Sequence, residues 1–401
     1  MLRTLKNYPT TINLLLSGAL ILTLARAITL PYLVIYLASR FHLDVADIGL
    51  VIGSSLILGS VLSLYGGFLV DRIAIYRLIL GCCAVFSLGF IGTFAARELW
   101  LFYLCLVLIN LAYAVLDIAV KAGFARQLPV AERSEAFSIK YTLSNIGYAV
   151  GPFLGAGLAT LDISLPFLLS SGLGAGFFCL YLALGDRHLN SRDATHPPMA
   201  FLALGKQLLR DYRLVCFTLG GLLSAVVFGQ FSAYLSQYLM VTTSPEATYR
   251  IISNLVATNA LLVITLQYSI GRRISQRHLG RWLAAGLSLF MLGVGGFALA
   301  TSLPLWMLSM ALFTLGEIIV FPAEYMFIDS IAPEPLRGLY YAAQNLSSLG
   351  GALGPILCGM LLATQPPHAI FYMLALFIIA GGLFYCLGAA NPGQAGARAA
   401  G

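Results

Sequence analysis

The chain has 401 residues, of which 59% are hydrophobic and only 10% charged, with 23 Lys and Arg against 16 Asp and Glu. Ordinary globular domains carry roughly 25% charge, so a water-soluble protein is excluded. The basic excess could signal a nucleic-acid partner, and its distribution along the chain decides that question.

A bilayer core of about 30 Å is crossed by roughly 20 helical residues. Apolar runs punctuated by charge, Pro and Gly predict six such helices at 12–37, 46–70, 77–95, 99–121, 135–160 and 164–185. Six more follow at 213–240, 249–270, 280–301, 304–328, 337–363 and 368–388. The runs are too long and unbroken for the two-residue alternation of a membrane barrel. The first is too long for a cleaved signal peptide, contains Arg26, and lacks a small-residue cleavage site. The expected fold class is therefore all-α and integral to the membrane.

The widest polar gap divides six helices from six. It gives an N-terminal bundle at 1–185, a cytoplasmic linker at 186–212, a C-terminal bundle at 213–390 and a disordered tail at 391–401. Within the linker, Leu204, Leu208 and Tyr212 share one face and Lys206 and Arg210 lie near another, the pattern of a helix lying on the membrane surface. With the N-terminus in the cytoplasm, only Arg40, Arg97 and Arg250 fall outside and Arg26 lies within a span; every other basic residue is inside. The positive-inside rule thus places both termini in the cytoplasm, and the basic excess reports orientation rather than nucleic acid.

The seven cysteines lie in or beside apolar runs with no zinc-binding spacing, and they read as small hydrophobes. None of the five histidines falls inside a span, so no histidine proton relay is expected. There is no GxxxxGK[ST] loop, no HExxH and no GxSxG, so neither ATP-driven pumping nor hydrolysis is indicated and no metal or cofactor is expected.

The two halves repeat each other. Gly147, Gly151 and Pro152 in the fifth span recur as Gly350, Gly354 and Pro355 in the eleventh, and Pro129 and Arg133 recur as Pro333 and Arg337. Between the second and third spans the chain reads Gly67-Phe68-Leu69-Val70-Asp71-Arg72, then Arg77. This resembles the GxLaDRxGRr signature of the major facilitator superfamily, although Ala74, Ile75 and Tyr76 stand where Gly and basic residues are usual. Gly147, Gly151, Pro152 and Gly155 resemble its GxxxGPxxG antiporter signature. Glycines four apart let another helix approach closely, and Pro152 frees a backbone carbonyl at which the helix can bend.

The resemblance covers essentially the whole chain and is to the drug:proton antiporter branch, more finely to bacterial dipeptide and drug exporters. It implies two pseudo-symmetric six-helix bundles in a bacterial inner membrane and a cavity lined by the first, fourth, seventh and tenth spans. Many members carry an Arg in the fourth span and an acid in the first, whereas this chain has Asn110 in the fourth and Arg26 in the first. The gating set implied by the two signatures is Gly67, Asp71, Arg72, Arg77, Gly147, Gly151, Pro152, Gly155, Gly354 and Pro355.

A charge near the bilayer centre costs about 2.5–3.5 kcal/mol on insertion scales, so each one in a span needs a cavity or a partner. Arg26, Asp117, Glu317 and Glu324 are those charges. Asn110, Tyr113, Asp117 and Lys121 form one polar stripe on the fourth span. The repeat sets Glu317 level with Tyr113. Further polar stripes are Gln230, Tyr234 and Gln237 in the seventh span, Tyr141, Asn145 and Tyr148 in the fifth, and Tyr341, Asn345 and Ser348 in the eleventh. All are candidate substrate contacts, together with Arg26, Asn110, Tyr113, Glu317 and Glu324.

Burial raises a carboxylate's pKa and a nearby Arg lowers it, so Glu317 with Arg26 suits proton coupling. Asp117 is a second candidate carrier, or the partner of Lys121 in a structural ion pair. The expected function is proton-coupled export, by a monomer, of a small zwitterionic or amphiphilic solute such as a dipeptide, amino acid derivative or drug. Transport of an anionic metabolite or siderophore-like chelator, a channel, and a non-transporting receptor on a transporter fold are the competing readings.

Overall fold

Backbone that lies in hydrocarbon must satisfy its own hydrogen bonds, and long apolar segments do so by closing into helices. The computed structural model describes residues 2–43, 45–187 and 201–389, and among these there is no strand. Six long helices follow the short α1 (Leu2–Asn7) and make the first six spans: α2 (Thr10–Phe41), α3 (Val45–Arg72), α4 (Ile75–Ala95), α5 (Leu99–Gln127), α6 (Val130–Ala159) and α7 (Leu165–Leu184). After them come α8 (Phe201–Arg210), α9 (Tyr212–Phe228), α10 (Phe231–Thr242), α11 (Pro245–Gly271), α12 (Leu279–Leu299), α13 (Leu303–Ile331), α14 (Arg337–Asn345), α15 (Leu349–Thr364) and α16 (Ala369–Ala389).

Ten helical segments among the described residues are long and apolar enough to cross a bilayer. The other two expected spans are present with a physical reason for falling outside that set. α6 carries four charges in its first three turns and is made less apolar beyond them by Ser144, Asn145, Tyr148, Pro152 and its glycines, and the seventh span is broken into α9 and α10. Apolar side chains such as Leu50, Phe153, Leu308, Tyr372 and Leu376 stand exposed on the outside of the helices, the surface that lipid covers. This is a multi-pass, all-α membrane protein.

The chain forms two compact units, Met1–Pro198 with Pro333–Ala342, and Met199–Ala332 with Ala343–Gly401. Pro333–Ala342, at the start of the eleventh span, thus groups with the first unit. The tail at 391–401 and the linker stretch 188–200, with His188 and His196, lie outside the described residues.

In the first unit, the glycines of the fifth span are where α6 meets α2. A Cβ at Gly147 would stand 3.0 Å from the backbone nitrogen of Leu24, and one at Gly151 only 2.5 Å from the Cβ of Ala27. At Gly155 it would press on the carbonyl oxygen of Ile28 and the ring of Tyr32. Tyr32 meanwhile donates its hydroxyl to the carbonyl of Pro152 at 3.2 Å. The second unit repeats the device between α9 and α15: Gly350 abuts the carbonyl of Leu222, and a Cβ at Gly354 would stand 2.6 Å from the carbonyl of Val226. Glycine is required at these positions because backbone meets backbone.

Two expected spans are not single helices. The seventh ends α9 at Phe228, passes Gly229 and Gln230, and restarts at Phe231; the Tyr234 hydroxyl donates to the carbonyl of Val227 at 2.6 Å beside the break. In the eleventh, a 3-10 turn at Leu346–Ser348 separates α14 from α15. The surface helix forms as α8, with Leu204 and Leu208 buried and Lys206 and Arg210 exposed. Tyr212 does not share its apolar face. The axis turns by 77° between Ala203–Arg210 and Tyr212–Phe228, Asp211 caps α9 by accepting from the backbone of Arg213 and Leu214, and Tyr212 is 47% exposed.

The close approach of α2 and α6 makes a direct prediction. Gly151→Ala forces a methyl into Ala27 and should lower stability by about 1–3 kcal/mol. Gly157→Ala, where nothing lies within 4 Å, should change it by less than about 1 kcal/mol, and in the stabilising direction. Thermal unfolding of the purified variants in detergent, followed by tryptophan fluorescence, measures the difference.

Candidate functional site

In the first unit, α2 brings Arg26 against the middle of α5. Its guanidinium donates to the side-chain oxygen of Asn110 at 3.3 Å and lies over the ring of Tyr113, 4.7 Å from the centroid. Asn110 in turn donates to the hydroxyl of Ser55 on α3 at 3.2 Å. The Tyr113 hydroxyl shares a 2.9 Å hydrogen bond with Thr23, which reaches Ser144 on α6 at 3.5 Å. Helical spacing explains the array: Thr23 and Arg26, and Asn110 and Tyr113, are each three apart and share a face. Four helices are thus tied by one polar chain, with a single charge at its centre.

Two turns further along α5, Asp117 forms ion pairs with Lys121 at 2.8 Å and with Lys140 on α6. The lysine side chains are almost wholly buried, 1% and 9% exposed. Lys140 lies inside the expected fifth span, and α6 begins at Val130 rather than near 135, so the lysine sits three turns into the helix. A hollow lined by Thr23, Tyr113, Asp117, Lys140 and Ser144 joins the triad to the Arg26 array.

Asp71, at the end of α3, accepts from the backbone nitrogens of Gly338 at 2.7 Å and Leu339 at 2.9 Å, and so caps the first turn of α14. A carboxylate at a helix N-terminus satisfies donors that have no partner within the helix and complements the helix dipole. Arg126 stands 3.6 Å from the same carboxylate, and Arg337 donates to the carbonyl of Ala125 at 3.2 Å. Gly67 faces Gly338 and Ala342, where a Cβ would collide with both. Arg72 stacks over Phe68 at 4.2 Å, and Arg77 is exposed.

In the second unit, Glu317 on α13 is 6% exposed. It accepts from the side-chain amide of Asn259 on α11 at 2.7 Å, and Asn259 also donates to Thr314 at 3.1 Å. Glu324, two turns on, is buried and accepts from the hydroxyl of Tyr385 on α16, to which Ser224 on α9 donates at 3.1 Å. A Cβ at Gly221 would stand 3.3 Å from the second oxygen of Glu324.

The remaining candidates are distributed differently from their sequence spacing. The break in the seventh span falls just ahead of Gln230, Tyr234 and Gln237, whose surroundings differ: Gln230 is exposed at the start of α10, Tyr234 is fully buried on Val227, and Gln237 has a buried side-chain oxygen with no partner among the described residues. Tyr341 is buried edge-on to Phe137, at 6.3 Å between ring centroids, and Asn345, one turn on along α14, is half-buried. On α6, Asn145 donates to the carbonyl of Tyr141 at 2.9 Å and Tyr148 is exposed. Sequence reasoning missed Ser55, Asn259 and Tyr385 as partners of the charged groups. Asn259 was readable as an amide inside the apolar eighth span; Ser55 and Tyr385 sit among many such residues and carry no distinguishing signal.

A family model described as Major Facilitator Superfamily matches residues 15–348. The chain is 38% identical over 367 residues to the uncharacterized MFS-type transporter YdeE of Escherichia coli (strain K12), covering 91% of this chain and 92% of that one. It is 26% identical over 350 residues to the multidrug resistance protein MdtH of Klebsiella pneumoniae (strain 342), covering 85% and 83%. Among solved structures it is similar to a bacterial homologue of the iron transporter ferroportin in the outward-facing state, with a TM-score of 0.76 and 14% identity over 96% of this chain and 100% of that one. At that identity the likeness is one of fold.

The Asp117 triad makes a prediction independent of transport. Asp117→Asn leaves two buried ammonium groups facing each other and should destabilise the protein by about 3–5 kcal/mol. Adding Lys140→Met should recover part of that loss. The two single variants and the double variant, compared by thermal unfolding, give the coupling.

Proposed function

From a chain that belongs to the major facilitator superfamily, we propose that this protein is a proton-coupled secondary transporter that exports a small zwitterionic or amphiphilic solute. The observation that carries the reading is Glu317: a carboxylate buried within a spanning helix and held by a neutral amide, Asn259. A carboxyl group there can take and release a proton, and intramembrane acids with such partners are common in proton-driven carriers. The glycine contact of α2 and α6 supports export, because it lies at the signature shared with antiporters and gives the bundle a close, smooth helix pair on which to shift. The named multidrug relative points the same way.

Driving force comes from the membrane. Each charge moved inward is worth about 2.3 kcal/mol per 100 mV, which suffices for accumulation without ATP. The crowding of Lys and Arg into alternate loops supports a reading with both termini cytoplasmic in a bacterial inner membrane, and in this reading the protein acts as a monomer. Arg26, Asn110 and Tyr113 in the first unit receive the solute's polar groups, and Asp117 serves structure, tied to two lysines.

The test is transport in proteoliposomes with an imposed pH gradient, screened across dipeptides, drugs and siderophore-like chelators. Glu317→Gln should lower gradient-driven flux by roughly tenfold or more while solute exchange without a gradient continues. Full proton-coupled transport by that variant would overturn the assignment of Glu317, and failure of every gradient to drive flux would favour a receptor.

A further inference from the structure

Within the spans of the first unit stands a cation, Arg26, that no acid of the unit is seen to neutralise among the described residues. Asp117 is taken by Lys121 and Lys140, Asp71 faces Arg126, and Glu334 lies beside Arg337. Among the described residues of the unit, Arg26 makes no ion pair; its contacts are a neutral amide and an aromatic face. Both leave much of the guanidinium fork open, and a planar fork of donors is suited to a carboxylate.

Beside it lies a hollow, distinct from the one at Asp117, between α2, α3, α4, α5 and α7. One wall is polar, with Arg26, Thr29, Ser55 and Asn110. The rest is apolar and includes Leu33, Phe90 and Phe167. The polar wall cannot supply a countercharge, because Thr29, Ser55 and Asn110 are neutral. Thr29 and Ser55 already donate to backbone carbonyls, at 3.0 and 2.8 Å.

We propose that Arg26 anchors the carboxylate of an amphiphilic solute whose apolar body rests against Leu33, Phe90 and Phe167. The proposal rests on the transport reading and narrows its substrate class: an amphiphile bearing an anionic head is preferred over its neutral or cationic counterpart. Binding would give the half-buried guanidinium an opposite charge that no ion pair among the described residues of its unit provides. The apolar lining sets the second requirement: Leu33, Phe90 and Phe167 are buried within the protein, surroundings that favour a hydrocarbon body over a hydrated one.

The test uses the full-length protein in nanodiscs of phosphatidylcholine and two probes that differ only in charge, N-acetyl-leucine and N-acetyl-leucinamide, titrated by ligand-observed NMR. The acid should bind at least tenfold tighter than the amide. Arg26→Gln should abolish that ratio, and Arg26→Lys should keep part of it, which separates the lost charge from a folding defect. Phe167→Ala should weaken both probes alike and leave the ratio unchanged. Equal binding of the two probes to the natural protein, or a ratio retained in Arg26→Gln, would overturn the proposal. So would loss of the ratio when phosphatidylglycerol is added, which would assign the guanidinium to a lipid headgroup. Because binding is read without a gradient, tight acid binding with no transport would count against proton-coupled export alone.

Discussion

Charged groups within helices that lipid surrounds have to be answered from inside the protein, and this constraint organises both units. Water is absent from the hydrocarbon, so an unmatched ion there is far more costly than at a soluble surface. Each unit answers in its own way. The first surrounds Arg26 with an amide, a ring and hydroxyls and closes Asp117 between two lysines. The second gives its acids neutral donors, an amide for Glu317 and a phenol for Glu324.

The same scaffold underlies both answers. Asn110 bonds Ser55, and Asn259 bonds Thr314, and in each pair the partners are 55 residues apart, linking the second and fourth spans of their half. On this common crosslink the halves have diverged in charge. The first adds a guanidinium to its amide, and the second adds a carboxylate. A duplicated frame with opposite charges grafted on it is a direct route from a symmetric bundle to a carrier with distinct roles for its halves.

Rigid and yielding elements are also separated. Glycine contacts bring α2 to α6, and α9 to α15, with backbone touching backbone. The second pair includes the spans that are interrupted, at Gly229–Gln230 and at Leu346–Ser348. Interruptions of this kind are tolerated in a membrane when side chains take up the freed backbone groups, as Tyr234 does at Val227. The cap of Asp71 on the first turn of α14 is a contact within the first unit.

The spans, their number, the internal repeat and the list of intramembrane charges were legible from residue order, because hydropathy, glycine spacing and the rarity of charge in lipid are local properties of the chain. Partnership was less so. The pairing of Asp117 with Lys121 could be read from their separation on one helix, but Lys140 joins them from α6, and that depends on how α5 and α6 pack. The polar stripes of the seventh and eleventh spans assumed unbroken helices; the seventh is interrupted at Gly229–Gln230, ahead of Tyr234, and the eleventh by a 3-10 turn at Leu346–Ser348, beyond Tyr341 and Asn345 and at Ser348 itself. Sequence by itself determined that this chain lives in a membrane and where its charges fall along each helix. Only the tertiary structure decided which neighbours meet those charges, because helices from distant parts of the chain pack side by side and supply the partners that no single span contains.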